Sequence, residues 1–141
     1  MASAAPTLHH IGCVVGSIED QIEGYRLSLQ ATSVSPIFED PIQRVRVIFL
    51  ALPTQGGVQF ELVQPLAPGS PVSRFLEKGG GLHHLCYEVD DLESQIHAMK
   101  AQRALLMRSP QPAVAFDGRR IAWMRTAEGL LVEYLERSKS G

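Results

Sequence analysis

The chain has 141 residues, of which 45% are hydrophobic and 20% are charged, and its formal net charge is −2 at pH 7. This composition is typical of a soluble globular protein, and the slightly acidic balance argues against a broad nucleic-acid surface. No apolar run is long enough to span a membrane, so we expect neither a membrane nor a nucleic-acid partner. Both cysteines lie in apolar runs, which indicates reduced core thiols and a cytoplasmic location.

One segment of the chain occurs twice. Residues 8–22 align with residues 82–96, and seven of the fifteen aligned positions are identical. Both copies begin with Leu-His-His and end with Gln-Ile. A repeated segment of this length predicts two copies of one supersecondary unit.

The first half of the chain reads as a strand, a helix and three further strands. Residues 8–15 alternate between an apolar face and a second face, which predicts a strand. Ser17 is a suitable N-cap for the helix that follows, and apolar residues at helical spacing continue to Leu29. Three strand patterns follow, at residues 31–37, 45–50 and 58–63.

The second half repeats this order after a linker that contains a short helix. A strand at residues 82–89 precedes a helix that Asp91 can cap. The later strand patterns are at residues 104–107, 120–125 and 130–135, and residues 109–112 read as a loop. We therefore predict an α+β fold of two βαβββ modules, residues 8–66 and 82–136, joined by residues 67–81.

Each predicted module carries a histidine on its first strand and a glutamate on its last. A carboxylate within an apolar strand is costly to bury without a cation or hydrogen-bond donors. If the two sheets pair, the four side chains can converge in a cleft, as His10, Glu61, His84 and Glu133. Such a mixed nitrogen and oxygen site suits zinc, nickel, cobalt, manganese or ferrous iron. Any one of these residues alone would more simply be a satisfied core residue.

The strand alternation distinguishes between the two histidines of each pair. His9 and His83 share a face with apolar residues and are expected to hydrogen-bond within the core. His10 and His84 lie on the other face, which makes them the candidate metal ligands.

Several motifs resemble one known superfamily. They are Leu8–Gly12, Glu61–Pro65, Gly81–His84 and Gly129–Glu133. With them the chain resembles the vicinal-oxygen-chelate superfamily over residues 8–136, and most of all its glyoxalase and methylmalonyl-CoA epimerase branch. The resemblance implies two βαβββ modules forming a metal-containing cleft, which is the glyoxalase/bleomycin-resistance/dioxygenase fold. It also implies one divalent ion per site, held by His10, Glu61, His84 and Glu133, and a homodimer.

The same resemblance implies an enzyme that removes a proton next to a carbonyl, most like methylmalonyl-CoA epimerase. Its substrate would be an acyl thioester or an α-hydroxycarbonyl, with Glu133 as the first candidate for the base and Glu61 as the second. Arginines suit a substrate carboxylate or CoA phosphates. The candidates for this role are Arg44, Arg46 and Arg120, with solvated surface charge as the simpler interpretation.

Three alternative functions stay open on the sequence alone. The first is a glyoxalase I-type lactoylglutathione lyase. The second is an extradiol-type dioxygenase, whose usual site has two histidines and one glutamate with open positions. The third is a metal-free binding or resistance protein, which would have no use for a symmetric set of ligands.

Overall fold

A computed structural model describes residues 4–138 of the chain. Its elements in chain order are β1 (Thr7–Val14), α1 (Ile18–Ser28), β2 (Ser33–Val34), β3 (Phe38–Asp40), β4 (Val45–Ala51), β5 (Gln59–Pro65), α2 (Ser73–Glu77), β6 (Gly81–Val89), α3 (Leu92–Ala101), β7 (Leu105–Pro112), β8 (Arg120–Arg125) and β9 (Leu131–Glu136). They form two compact units, one of residues 10–83 and one of residues 84–138 with residues 4–9. None of the helices described here has the length and apolar character needed to cross a membrane.

In the unit of residues 10–83, the strands lie in the order β2, β4, β5, β1, and β3 also pairs with β4. β1 runs parallel to β5, whereas the pairs that involve β4 are antiparallel. α1 packs on one face of this sheet, over a core of Cys13, Val15, Ile18, Ile48, Leu50, Phe60 and Leu62. Because side chains alternate along β1, His10 lies on the face opposite α1.

The other unit has the strand order β6, β9, β8, β7. Here β6 is parallel to β9, and the remaining pairs are antiparallel. α3 covers one face over a core that includes Val89, Leu92, Ile96, Ala122, Met124, Val132 and Tyr134. The alternation along β6 places His84 on the opposite face, as in the first unit.

The residues before His10 belong to this second unit. The Ala4 amide donates to Asp90, and the Arg137 guanidinium donates to the Ala5 carbonyl oxygen and to the Thr7 hydroxyl oxygen. Residues 67–81 lie within the first unit. The module limits expected from the sequence, residues 8–66 and 82–136, stay a prediction.

Side chains cap both long helices at the residues that the sequence indicated. The Ser17 hydroxyl accepts a hydrogen bond from the Asp20 amide at 3.2 Å, and the Asp91 carboxylate accepts one from the Ser94 amide at 3.0 Å. Each bond satisfies an amide that has no partner inside its helix. The two caps therefore fix the residue at which each helix begins after the preceding strand.

Two predictions about strands are wrong. Of the single strand expected at residues 31–37, only Ser33–Val34 is a strand, as β2, and β3 begins after that range at Phe38. Pro36 lies between them and has no amide hydrogen to donate to a ladder. The loop expected at residues 109–112 lies inside β7, which pairs with β8 alone among the described strands. Prolines are tolerated on such an edge strand, so Pro110 and Pro112 do not end it.

Candidate metal centre

In the first unit, His10 and Glu61 form a buried pair. The His10 ring is 0% exposed and Glu61 is 6% exposed. His10 Nε2 lies 3.3 Å from Glu61 Oε1. In the ladder Glu61 stands opposite Gly12 of β1, which has no side chain to fill the space beside the carboxylate. The adjacent parallel strands therefore hold an imidazole and a carboxylate side by side on the face away from α1.

An aromatic ring borders this pair. Phe49 of β4 stands opposite Glu61 in the antiparallel ladder. Its ring lies edge to face with His10, and the ring centroids are 5.3 Å apart. The ring therefore packs against the imidazole on that side of the pair.

The second unit contains an equivalent group. His84 on β6 is 6% exposed and Glu133 on β9 is 4% exposed, and His84 Nε2 lies 3.5 Å from Glu133 Oε1. Trp123 of β8 stands opposite Glu133, and its ring is edge to face with His84 at 4.7 Å between centroids. Each unit thus has a histidine, a glutamate and an aromatic ring on the sheet face away from its helix.

The sequence analysis did not assign the two rings to the site. A signal for them was present, because Phe49 and Trp123 are separated by the same 74 positions as His10 and His84. The short repeated segment ends at Ile96, so an alignment limited to it does not reach these residues.

The neighbouring histidines lie in different surroundings. His9 is half-buried, with its ring edge to face with Phe116 at 5.3 Å. His83 is also half-buried and makes the same kind of contact with Phe75 at 4.8 Å. Each of these two imidazoles therefore packs against an aromatic ring of its own unit.

Arg46 and Arg120 lie on the helix-covered faces of their sheets. Arg46 stands opposite Gln64 in the ladder, and its guanidinium binds both oxygens of Glu19 on α1, at 2.8 and 3.0 Å. Arg120 binds both oxygens of Glu93 on α3, at 2.8 and 2.9 Å. These hydrogen bonds lower the pKa of each carboxyl group and raise the pKa of each guanidinium.

Both arginines therefore join a strand to the helix of the same unit. Their expected role in substrate binding stays a prediction, since the partners seen here are protein carboxylates and, for Arg46, also the Gln64 amide oxygen. Arg44 is exposed and adopts a positive φ of 57° in the turn before β4, where its carbonyl oxygen accepts a hydrogen bond from Leu66. The structure brings none of the three arginines to the His–Glu pair of its own unit.

The donor chemistry of each pair fits a divalent cation. An imidazole nitrogen and a carboxylate oxygen are the ligands that zinc, nickel, cobalt and manganese accept. Glu61 and Glu133 are nearly fully buried. A bound cation would offset the free energy that it costs to keep a carboxylate charged at such a position.

Residues 9–123 match the family described as the Glyoxalase/Bleomycin resistance protein/Dioxygenase superfamily. The chain belongs to this superfamily. Within the superfamily, it is 35% identical over 130 residues to the ethylmalonyl-CoA/methylmalonyl-CoA epimerase of Cereibacter sphaeroides, covering 89% of this chain and 94% of that protein. These matches confirm the superfamily that the sequence motifs indicated.

Solved structures of the same superfamily agree with the fold. The methylmalonyl-CoA epimerase of Mycobacterium tuberculosis has a TM-score of 0.82 at 27% identity, covering 94% of this chain and 89% of that one. A hypothetical protein from Bacillus halodurans has a TM-score of 0.83 at 30% identity, covering 98% and 99%. The predicted α+β fold class and the prediction of an enzyme most like methylmalonyl-CoA epimerase are confirmed.

Proposed function

We propose that His10, Glu61, His84 and Glu133 together hold one divalent metal ion, and that the chain epimerises a 2-alkylmalonyl-CoA thioester such as methylmalonyl-CoA. The observation that carries this proposal is the repeated, buried His–Glu pair with its aromatic neighbour. Two such pairs supply four donor atoms. Four donors complete the shell of a tetrahedral ion, and they leave two positions for substrate oxygens on a six-coordinate ion.

Epimerisation at the carbon beside a carbonyl requires a base and a proton donor. A divalent ion supplies Lewis-acid chemistry when bound, since it polarises a carbonyl oxygen and makes the adjacent C–H more acidic. We assign the removal of the proton to the Glu133 carboxylate, which keeps it, and the delivery of a different proton to the opposite face of the carbon to the Glu61 carboxyl group. The edges of Phe49 and Trp123 fix the imidazoles and exclude water, which strengthens electrostatic interactions at the reacting carbon.

The thioester substrate is taken from the relatives. The relative that is 35% identical is named for ethylmalonyl-CoA and methylmalonyl-CoA, and this chain matches 94% of its length. These two compounds share an acidic C–H between a thioester and a carboxylate. We therefore propose this substrate class before the α-hydroxycarbonyls of a glyoxalase-type lyase.

Metal analysis and proton exchange test the proposal. Purified protein should carry one divalent ion per chain, and solvent deuterium should enter the carbon beside the thioester of methylmalonyl-CoA. His10→Gln and His84→Gln should each lose the ion and the exchange. The matched controls His9→Gln and His83→Gln change the adjacent residue of the same strand and should keep both.

Two results would overturn the proposal. One is full turnover after exhaustive chelation, and the other is exchange with the methylglyoxal–glutathione hemithioacetal but not with acyl-CoA substrates. Two ions per chain would show instead that each His–Glu pair binds its own metal.

We also propose a homodimer in the cytoplasm. β7 is an edge strand within its unit, and it exposes Leu105 and Met107, which are 64% and 50% accessible. Uncovered edges with apolar side chains invite pairing with another chain. Cys13 and Cys86 are buried free thiols, as in proteins of reducing compartments. Sedimentation equilibrium should give twice the mass of one chain, and a monomer at micromolar concentration would contradict the assembly.

A further inference from the structure

The register of β7 against β8 shifts on both sides of Arg108. Leu106 stands opposite Met124, but Arg108 stands opposite Trp123, so two steps along β7 correspond to one step along β8. A second shift separates Arg108 from Gln111, which stands opposite Ile121. An extra residue of this kind is a β-bulge, which turns the following side chain relative to the regular alternation.

The first shift decides which face Arg108 occupies. Leu106 packs against the core under α3, and regular alternation would send Arg108 to that same face. Because of the extra residue, Arg108 instead shares a ladder position with Trp123, whose ring contacts His84. The bulge therefore places Arg108 on the sheet face that carries His84 and Glu133, instead of on the helix face.

The distance to the second His–Glu pair suits a long side chain. Trp123 stands opposite both Arg108 and Glu133, one strand away from each. Neighbouring strands are about 4.8 Å apart, so the backbone of Arg108 lies roughly 10 Å from that of Glu133. Arg108 is half-buried, and partial burial strengthens the attraction between a cation and an anion compared with full exposure to water.

We propose that Arg108 binds the free carboxylate of the substrate and thereby sets the preference for carboxylated acyl-CoA thioesters. This inference rests on the proposed function for its substrate class. A guanidinium forms paired hydrogen bonds with a carboxylate. Such a pair would bind the substrate and would also orient its acidic C–H. The free carboxylate is attached to the reacting carbon, whereas the pantetheine arm holds the CoA phosphates far from it.

The test compares binding of malonyl-CoA and acetyl-CoA to the metal-loaded protein by titration calorimetry. The two ligands differ only in the carboxylate, and malonyl-CoA has no stereocentre to epimerise. The wild type should bind malonyl-CoA more tightly, and Arg108→Gln should reduce that preference about tenfold or more, as expected for a hydrogen bond between charged groups. Arg108→Lys should keep part of the preference because it keeps the charge.

A matched control and a kinetic measurement complete the test. Arg26→Gln removes a surface arginine that pairs with Glu23 on the same helix, and it should leave the preference unchanged. With methylmalonyl-CoA, Arg108→Gln should raise KM more than it lowers kcat. Circular dichroism and metal content should equal those of the wild type.

The outcomes separate this inference from the proposed function. If no acyl-CoA is turned over but Arg108→Gln still abolishes the preference for malonyl-CoA, the inference stands and the proposed function fails. If turnover is present and Arg108→Gln weakens both ligands equally or neither, the inference is overturned. A change of equal size in Arg26→Gln would also overturn it, because the effect would then come from general charge.

Discussion

At the scale of single residues, Glu133 is buried, lies beside the His84 imidazole and stands opposite Trp123 in the ladder. We predict that Glu133→Gln lowers kcat for methylmalonyl-CoA about 10²- to 10⁴-fold, because the amide keeps the shape of the side chain but cannot accept the proton. Stopped-flow or NMR exchange of the C–H proton measures the effect, together with the metal content of the same sample.

Glu61→Gln is the matched variant in the other unit. If Glu61 mainly donates a proton to the opposite face of the carbon, its replacement should slow the formation of the opposite epimer more than the entry of deuterium into the starting one. Equal losses in both measurements would contradict the division of roles. A Glu133→Gln protein with wild-type exchange would remove Glu133 from the chemistry altogether.

Tyr25 and Cys13 form a second residue pair, in the core between α1 and its sheet. The Tyr25 hydroxyl oxygen lies 3.5 Å from Cys13 Sγ, and this hydrogen bond, followed by burial, raises the pKa of Tyr25 to about 12. Folding therefore favours the neutral phenol. This contribution to stability is complete below the unfolded-state pKa of about 10 and is lost as the pH rises through 12.

We predict that Tyr25→Phe lowers the free energy of unfolding at pH 7 by about 0.5–1.5 kcal/mol, the usual net contribution of one hydrogen bond. The difference between wild type and variant should shrink between pH 10 and 12. Urea denaturation at several pH values measures both quantities. A difference that stays constant over this range would show that Tyr25 titrates alike in the folded and unfolded chains.

At the scale of elements, two glycines of the first unit differ in what an added methyl group would meet. A Cβ at Gly80, where φ is 68°, would lie 2.7 Å from the Val14 carbonyl oxygen at the end of β1. A Cβ at Gly24 of α1 would meet no atom within 4 Å. Glycine inside a helix is less stable than alanine by roughly 0.5–1 kcal/mol.

We therefore predict opposite effects of the same substitution. Gly80→Ala should destabilise the protein by about 1–3 kcal/mol, from backbone strain and the clash with Val14. Gly24→Ala should stabilise it by up to about 1 kcal/mol. Thermal denaturation of the two variants beside the wild type measures the signs. A stable Gly80→Ala protein would show that the turn between α2 and β6 can move away from β1.

Some of the helices and strands could be predicted from the sequence, and the register of one strand could not. Alternation and capping residues were sufficient to predict β1, α1, β6 and α3, since those signals are local. The register of β7 was not predictable, because a bulge depends on pairing with β8 and leaves the composition unchanged. The proposed role of Arg108 depends on this bulge, so the sequence analysis could consider only Arg44, Arg46 and Arg120 as candidates for substrate binding.

At the scale of the whole molecule, the spacing of 74 residues extends beyond the segment that repeats visibly. His10 and His84, Arg46 and Arg120, and Glu19 and Glu93 are all separated by it. The arginine–glutamate pair thus ties β4 to α1 in one unit and β8 to α3 in the other. A sequence can reveal such equivalent positions, but only coordinates show that these arginines bind helix carboxylates.

If two His–Glu pairs share one ion, the metal should stabilise the whole fold, since the ligands come from distant parts of the chain. A ligand that binds only the folded state adds about 2.7 kcal/mol at a free concentration 100 times its Kd. For a chain of this size, we predict that removing the metal with a chelator lowers Tm by roughly 5–10 °C. Readdition of the ion should restore the original Tm.

Histidine variants make this measurement specific. His10→Gln should have a low Tm that no longer responds to the chelator, whereas His9→Gln should respond as the wild type does. His84→Gln should behave like His10→Gln, because loss of either histidine removes a ligand of the same ion. If His10→Gln kept half of the stabilisation, each unit would bind a separate ion, and a shared centre would be wrong. An unchanged Tm in the chelated wild type would mean that the four side chains are held in place by the protein alone.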